Sequence, residues 1–121
     1  MVHSAGTLSL FEIAVAVKRL SARAQSGELT PEELGGATFT VTNLGHLGID
    51  WFTPVLNPPQ CGILGVGRSR KVPVVKNDSI IAGDTMTLVL TFDHRVIDGA
   101  PCARFLVDLR DQIENPEPLL N

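Results

Sequence analysis

The spacing of apolar residues changes from a helical repeat to a strand repeat between residues 27 and 37, which limits the chain to folds that combine helices with a sheet. In LSLFEIAVAVKRLSARAQSG, Ser9 and Glu12 have the spacing of a capping box, and Gly27 is expected to end the helix. The buried side of this helix is predicted to contain Ile13, Val17, Leu20 and Ala24.

A second, shorter helix and a strand are predicted to follow. In LTPEELGG, Thr30 and Glu33 repeat the capping-box spacing, and Pro31 takes the first helical position. From Ala37 to Asn43, apolar residues alternate with threonines, which predicts a half-buried strand.

The remaining sequence predicts three more strand regions and a closing helix. CGILGVG is typical of a buried strand, KVPVV and SIIA predict a hairpin around KNDS, and DTMTLVLTF predicts one further strand. A last helix is predicted from about Ala100 to Glu114, and its buried residues are expected to be Cys102, Phe105, Leu106, Leu109 and Ile113. This element order predicts one α/β domain, a sheet with helices on one face.

Residues 44–60, LGHLGIDWFTPVLNPPQ, are rich in glycine and proline but also apolar, which is not typical of a solvated loop. We expect this segment to pack against the rest of the chain or against another subunit.

Composition argues against several classes of function. The net charge of −3 and the charged fraction of 19% provide no basic surface for nucleic acid or for an acidic membrane. No apolar run reaches the length of a membrane span, and the first residues lack the pattern of a secretory signal, so neither membrane insertion nor export is expected. Cys61 and Cys102 lie in apolar surroundings and are predicted to be buried, reduced thiols outside any metal site.

Charged residues crowd the motif DHRVIDG, directly after the apolar stretch TLVLTF. His94 can accept a proton near neutral pH, and Asp98 can orient that base or stabilise its charged form. Asp93 and Arg95 can pair with each other or with neighbours. Spacing alone favours a simpler interpretation, a histidine in a polar turn, because a histidine and an aspartate four residues apart are a common coincidence.

DHRVIDG resembles the His-x-x-x-Asp-Gly signature of the dihydrolipoyl acyltransferases, the core components of 2-oxo acid dehydrogenase complexes. Chloramphenicol acetyltransferase shares that signature and the fold. LSLFEIAVAVKRLSARAQSGELTPEEL and GATFTVTNLGHLGIDWFTPVLNPPQCGILGVG are similar to other parts of the same family, so the likeness extends from about Leu8 to Leu120. It implies a mixed α/β sheet like that of chloramphenicol acetyltransferase. It also implies that residues 1–121 correspond to the C-terminal half of the family's catalytic domain, with the lipoyl and subunit-binding domains absent.

The resemblance implies acyl transfer between dihydrolipoamide and coenzyme A. His94 would deprotonate the thiol, Thr42 would donate its hydroxyl to the oxyanion that develops, and Asp98 would hold the histidine loop in place. Without the resemblance, Thr42 would be explained by the general preference of strands for threonine.

Three further residues match family positions that contact coenzyme A together with Thr42: Asn43, Gly67 and Ser69. A glycine at such a position lets a ligand approach the backbone, but a bulge or a turn explains it equally well. The basic residues in this region can meet phosphates or form a solvated turn: Arg68, Arg70 and Lys71.

The resemblance also implies an assembly. Active sites of the family lie between the subunits of a homotrimer, the histidine of one chain facing the serine or threonine of its neighbour, and trimers can build larger cages. Expected partners are the lipoylated domain, on which the lipoyl group is carried separately, and the dehydrogenase components of the complex. The resemblance implies neither a metal nor a nucleic-acid or membrane partner, and it implies a location in the cytoplasm or the mitochondrial matrix.

Two alternatives stay open. A shortened relative can keep the trimer-forming surface as a scaffold without turnover. A small drug acetyltransferase is the weaker alternative, since FTVTNLG and NPPQCGILGVG resemble the multienzyme family instead. The sequence does not distinguish acetyl, succinyl and branched-chain acyl groups.

Overall fold

The computed structural model describes residues 1–120. The helices are α1 (Leu10–Ser26), α2 (Pro31–Leu34) and α3 (Gly99–Glu114), and the strands are β1 (Thr40–Asn43), β2 (Gly62–Val66), β3 (Arg70–Lys76), β4 (Ser79–Thr85) and β5 (Leu88–Phe92). The chain divides into two compact units, residues 38–103 and the remainder, with the boundary inside α3. Within residues 1–120, every helix is too short or too polar to cross a membrane.

Both predicted capping boxes are present. The hydroxyl of Ser9 accepts the backbone N–H of Glu12 at 3.3 Å, and the Glu12 carboxylate accepts the N–H of Ser9 at 2.7 Å. The backbone N–H of Ser9, and its hydroxyl, which also donates to the Glu12 carboxylate at 2.7 Å, lower the pKa of Glu12. Thr30 and Glu33 form the same pair of bonds at 3.4 and 3.0 Å. Gly27 ends α1 with a φ of 73°, in the left-handed region that glycine enters without strain.

The buried side of α1 differs from the prediction at two of its four positions. Leu20 is buried, but Val17 and Ala24 are exposed. Arg23 is half-buried instead of its neighbour because its guanidinium donates a 2.6 Å hydrogen bond to the carboxylate of Glu33. In the last turns of α1, the residue that faces the rest of the chain is therefore Arg23, placed there by its contact with Glu33 rather than by apolar packing.

A mixed three-stranded sheet lies within residues 38–103. Its central strand, β2, runs parallel to β1 and antiparallel to β5. Thr42 lies opposite Gly65, which in turn lies opposite Val89. At the other end of β2, Gly62 lies opposite Phe92. The expected mixed α/β architecture is confirmed.

The predicted hairpin is confirmed as a separate two-stranded sheet of β3 and β4. Its turn residues, Asn77 and Asp78, have φ values of 51° and 59°, as a type I′ turn requires. The stretch predicted as one strand is two strands, because β4 ends at Thr85 after pairing with β3, and β5 begins at Leu88 and pairs with β2.

β1 is shorter than predicted and leaves its apolar side open. It begins at Thr40 rather than Ala37. Thr40 and Thr42 are half-buried, and the hydroxyl of Thr40 donates to the side-chain oxygen of Gln60 at 2.5 Å. Val41 is 64% exposed. The alternation was predicted correctly, but the side covered within this chain is the threonine side.

The core of residues 38–103 centres on β2, where Ile63 and Leu64 are buried. Cys102 is buried as predicted, but the prediction for Cys61 is wrong: this thiol is exposed, because Cys61 precedes the buried part of β2. Both cysteines are free. In α3, two residues predicted to be buried are also exposed: Phe105 and Ile113.

Residues 44–60 pack against the sheet only in part. Pro54 is buried and Phe52 is half-buried, and both lie against Gly65, where a Cβ atom would be 3.1 Å from the Phe52 ring. Trp51 and Val55 remain 66% and 85% exposed. The segment therefore has one side on β2 and one apolar side open.

Candidate active site

The residues expected to act together lie at opposite ends of the three-stranded sheet. Thr42 is near the carboxyl end of β1, whereas His94 follows Phe92 at the carboxyl end of the antiparallel strand β5. Thr42 is level with Val89, three residues before Phe92 and two strands away. With about 3.4 Å per residue and about 4.8 Å between strands, the Cα atoms of Thr42 and Phe92 are about 14 Å apart. Thr42 and His94 of one chain are therefore beyond direct contact.

His94 lies on the surface, with its side chain 71% exposed. Its ring contacts the ring of Phe92, with 5.5 Å between centroids and 41° between planes. Its Nδ1 is 3.9 Å from a carboxylate oxygen of Asp98, which is 87% exposed. That distance is too long for a hydrogen bond but allows an ion pair once the imidazole is protonated. The predicted proximity of His94 and Asp98 is confirmed as such a contact.

His94 lies in a turn, residues 93–97, that is held by hydrogen bonds of the preceding residue, Asp93. The N–H of Asp93 donates to the carbonyl of Cys61 at 2.9 Å, and the carbonyl of Asp93 accepts the N–H groups of Val96 and Ile97 at 2.9 and 3.2 Å. These bonds attach the start of the turn to β2 and close it over His94.

The Asp93 side chain pairs with Arg95, one of the two possibilities expected. The guanidinium donates to both carboxylate oxygens, at 2.9 Å from Nε to Oδ1 and 2.6 Å from Nη2 to Oδ2, and the backbone N–H of Arg95 donates to Oδ1 at 3.0 Å. These hydrogen bonds lower the pKa of Asp93 to about 2 and raise the pKa of Arg95. The carboxylate therefore stays ionised at neutral pH.

At the other end of the sheet, Thr42 and Asn43 complete β1. Thr42 is half-buried and lies opposite Gly65. The side-chain oxygen of Asn43 accepts the N–H of Gly45 at 2.8 Å, which forms an Asx turn. A Cβ atom at Gly45 would lie 2.6 Å from the carbonyl oxygen of Gly67, so the two loops that follow β1 and β2 are in close contact.

Packing within the chain accounts for the glycine at position 67. A Cβ atom there would lie 1.9 Å from the carbonyl oxygen of Asp50, which no side chain could tolerate without movement of the loop. Ser69 is exposed between β2 and β3. Close approach of coenzyme A to Gly67 and Ser69 stays a prediction.

The basic residues near this end have acidic partners. Arg68 donates to both oxygens of Asp50 at 2.6 and 3.3 Å, and these bonds lower the pKa of Asp50. Arg70 lies 3.7 Å from the same carboxylate, and Lys71 lies 2.9 Å from Asp84. The structure therefore agrees with the alternative of a solvated turn, in which the basic side chains pair with carboxylates of the same chain.

Two structural roles in the site were not predicted from the sequence. Asp50 binds Arg68 and so joins residues 44–60 to the loop after β2, and Asp93 makes the backbone and side-chain hydrogen bonds of the turn that contains His94. The signal for Asp93 was local, because an aspartate two residues before a free N–H is the pattern of an Asx turn. The contact of Asp50 with Arg68 joins positions 18 residues apart, and no local pattern could have predicted it.

The fold and these two groups of polar residues define an α/β domain that presents a histidine after an edge strand. The whole chain, residues 1–121, matches the family model described as the 2-oxoacid dehydrogenases acyltransferase catalytic domain. The chain belongs to that family.

Relatives of known name agree with this assignment. The chain is 43% identical over 120 residues to the dihydrolipoyllysine-residue acetyltransferase component of the acetoin cleaving system of Bacillus subtilis, covering 99% of this chain and 30% of that protein. It also resembles the dihydrolipoamide acetyltransferase of Azotobacter vinelandii, with a TM-score of 0.86 and 37% identity over 94% of this chain. The cubic core of a pyruvate dehydrogenase multienzyme complex gives a TM-score of 0.87 and 36% identity over 94% of this chain. The chain spans 47% of each solved chain and less than a third of the Bacillus protein.

The Azotobacter structure was determined to establish the role of a serine, a histidine and an asparagine in catalysis. In that protein the serine precedes the histidine by 52 positions and the asparagine follows it by four. Thr42, His94 and Asp98 have the same two spacings. The candidate residues of this chain thus repeat the arrangement of that triad along the sequence, with threonine in place of serine and aspartate in place of asparagine.

Proposed function

We propose that this chain supplies the acyl-transfer residues of a dihydrolipoyl acyltransferase, which moves an acyl group between dihydrolipoamide and coenzyme A. The observation that carries the proposal is the pair of spacings that Thr42, His94 and Asp98 share with the triad of the Azotobacter enzyme. The exposed histidine at the end of a strand and the confirmed family support it further.

In this proposal His94 is the general base. A thiol has a pKa near 8.5, so only a few per cent of it is thiolate at neutral pH, and a neutral imidazole raises the reactive fraction by accepting the proton. The Asp98 carboxylate, 3.9 Å from Nδ1, stabilises the imidazolium that forms. The thiolate sulfur then attacks the thioester carbonyl, a carbon–sulfur bond forms and the carbonyl oxygen becomes an oxyanion.

Thr42 supplies the donor to that oxyanion. One preorganised hydrogen-bond donor stabilises such a transition state by about 3 kcal/mol. Collapse of the intermediate breaks the other carbon–sulfur bond and expels the second sulfur as a thiolate, which takes the proton from His94. Because Thr42 and His94 lie at opposite ends of one sheet, we propose that a working site combines His94 of one copy with Thr42 of another, as in the trimer that the resemblance implies.

We propose acetyl as the acyl group, since the named relatives include the acetyltransferase components of acetoin-cleaving and pyruvate dehydrogenase systems. Contact of coenzyme A with Asn43, Gly67 and Ser69 belongs to the same proposal. A lipoylated domain would deliver the acyl group, and the dehydrogenase components would be partners, in the cytoplasm or the mitochondrial matrix. Likeness to the cubic core of a multienzyme complex supports assembly into a larger core.

Acyl transfer to dihydrolipoamide from acetyl-, succinyl- and isobutyryl-coenzyme A tests the proposal. We expect the acetyl donor to react fastest, and we expect His94→Ala to lose at least about 100-fold in kcat because it lacks the base. His46→Ala, which removes an exposed histidine from the same unit, is the matched control and should retain activity. Unchanged turnover in His94→Ala would refute the catalytic assignment.

A second candidate, a scaffold without turnover, is favoured by a different observation. Among the described residues, 22 large apolar side chains are exposed, whereas the large aliphatic side chains that are buried are Leu20, Ile63 and Leu64, so much of the apolar surface is available for assembly. The scaffold function predicts oligomers in light scattering together with no turnover for any of the three acyl donors.

A further inference from the structure

The His94 side chain has few contacts of its own that could fix its position. Within residues 1–120, its ring and charge contacts are the tilted packing against Phe92 and the 3.9 Å approach to Asp98, and neither is a hydrogen bond. The direction in which the ring leaves the chain is therefore set by the backbone on either side of it.

That backbone is held by Asp93. Its N–H donates to the carbonyl of Cys61, the residue before β2, its carbonyl accepts from Val96 and Ile97, and its carboxylate accepts the N–H of Arg95. Every polar group of Asp93 is thus engaged, and its side chain is only 19% exposed. His94 lies in the middle of the loop that these bonds close.

The side chain of Arg95 acts on the carboxylate of Asp93 and not on the backbone of the turn. Its guanidinium contacts both oxygens of Asp93, although the arginine side chain is itself 89% exposed. A bidentate contact fixes the plane of the carboxylate, so that Oδ1 stays in line with the N–H two residues later.

From these contacts we propose that Asp93 is a positioning residue for His94. Its carboxylate, oriented by Arg95, closes an Asx turn that holds the imidazole where a thiol can reach it. The inference rests on the proposed function, because it concerns the same histidine. It gives Asp93, the other aspartate of the motif, a role separate from that of Asp98, which faces the ring itself.

Two variants separate the hydrogen bond from the charge. Asp93→Ala removes the acceptor and should raise the exchange rate of the amides of residues 95–97 about fivefold or more, as expected for a lost hydrogen bond. Asp93→Asn keeps an oxygen at the same place and should stay close to the original rates. The control is Asp84→Ala, which breaks the exposed ion pair with Lys71 on the hairpin and should leave residues 95–97 unchanged.

Hydrogen exchange, measured by mass spectrometry on the full chain, tests whether Asp93 holds the turn, and it does not require the chain to be catalytically active. Faster exchange at residues 95–97 in Asp93→Ala, with restoration in Asp93→Asn, supports it, and equal exchange in Asp93→Ala and the unmodified chain overturns it.

Kinetics then test the link to the base. Asp93→Ala should lower kcat about 10-fold or more, since small misplacement of a catalytic group is costly, while the KM for coenzyme A changes little and Asp93→Asn recovers most of the rate. A raised KM with unchanged kcat would contradict positioning. Absence of turnover in the unmodified chain would refute the proposed function but leave the exchange result valid.

Discussion

At the scale of single residues, Thr42 has two competing explanations. Threonine is common in strands, and Thr42 follows the exposed Val41 and lies on the half-buried side of β1, so β-propensity alone accounts for it. The catalytic explanation depends on the hydroxyl, whereas the structural one depends on the branched shape. Substitutions that alter one and keep the other distinguish the two.

Thr42→Val keeps the branched shape and removes the donor. We expect kcat to fall about 100-fold or more, the effect typical of losing one oxyanion donor, with little change in stability. Thr42→Ser, which keeps the hydroxyl, should retain most of the rate. Steady-state kinetics and thermal unfolding of both variants provide the measurement, and equal activity in Thr42→Val would exclude the hydroxyl from catalysis.

The pairing of Asp93 with Arg95 predicts a pH dependence. The pKa of Asp93 is lowered from 3.8 to about 2 in the folded chain, so this carboxylate contributes stability above about pH 4 and loses that contribution as the pH falls toward 2. Carbon-13 NMR of the side-chain carboxyl measures the midpoint. Arg95→Ala should move it upward toward 3.8, and a native midpoint already near 3.8 would contradict the pairing.

At the scale of elements, the loop after β2 is shaped by close backbone packing. Gly67 has no room for a Cβ atom, because the carbonyl of Asp50 occupies that position, and its N–H donates to the carbonyl of Thr87 at 2.9 Å. This loop joins β2 to the hairpin and also carries Ser69, a candidate contact for coenzyme A.

Gly67→Ala should therefore destabilise the fold by about 1–3 kcal/mol, the usual cost of forcing atoms into a packed region. Gly6→Ala is the matched control, since a Cβ atom at Gly6 would meet nothing within 4 Å, and it should change stability little. The midpoint of urea unfolding measures both. Equal midpoints for the two variants would show that the loop can move at no cost.

Elements defined by nearby residues were predictable from the sequence. The capping boxes of α1 and α2 and the hairpin of β3 and β4 depend on contacts within a few residues, and all three are present. The break between β4 and β5 was not predicted, because it arises when the chain changes partner strands. The exposed side of β1 was missed for a related reason, since alternation does not reveal which side is covered.

In the candidate site, too, the local contact could be predicted from the sequence and the long-range arrangement could not. The approach of Asp98 to His94 follows from their spacing in one turn. The separation of His94 from Thr42 follows from the register of three strands, which residue patterns do not specify.

At the scale of the whole molecule, the exposed apolar residues and the separation of Thr42 from His94 have one explanation in common. Val41, Trp51 and Val55 are largely uncovered within one chain. Thr42 and His94 lie at opposite ends of the three-stranded sheet. Both features are accounted for if copies of the chain associate and each site takes residues from two of them.

Complementation between two inactive variants tests this claim most directly. His94→Ala and Thr42→Val are mixed in equal amounts, unfolded and refolded together, and light scattering and mass spectrometry confirm mixed oligomers. In a cyclic assembly with shared sites, about a quarter of the sites would regain both residues, so the mixture should recover up to that fraction of the original acetyl-transfer rate. A mixture of His94→Ala with His94→Gln should recover none. Mixed oligomers that remain inactive in the first combination, while the unmodified chain refolded in the same way is active, would contradict the shared site.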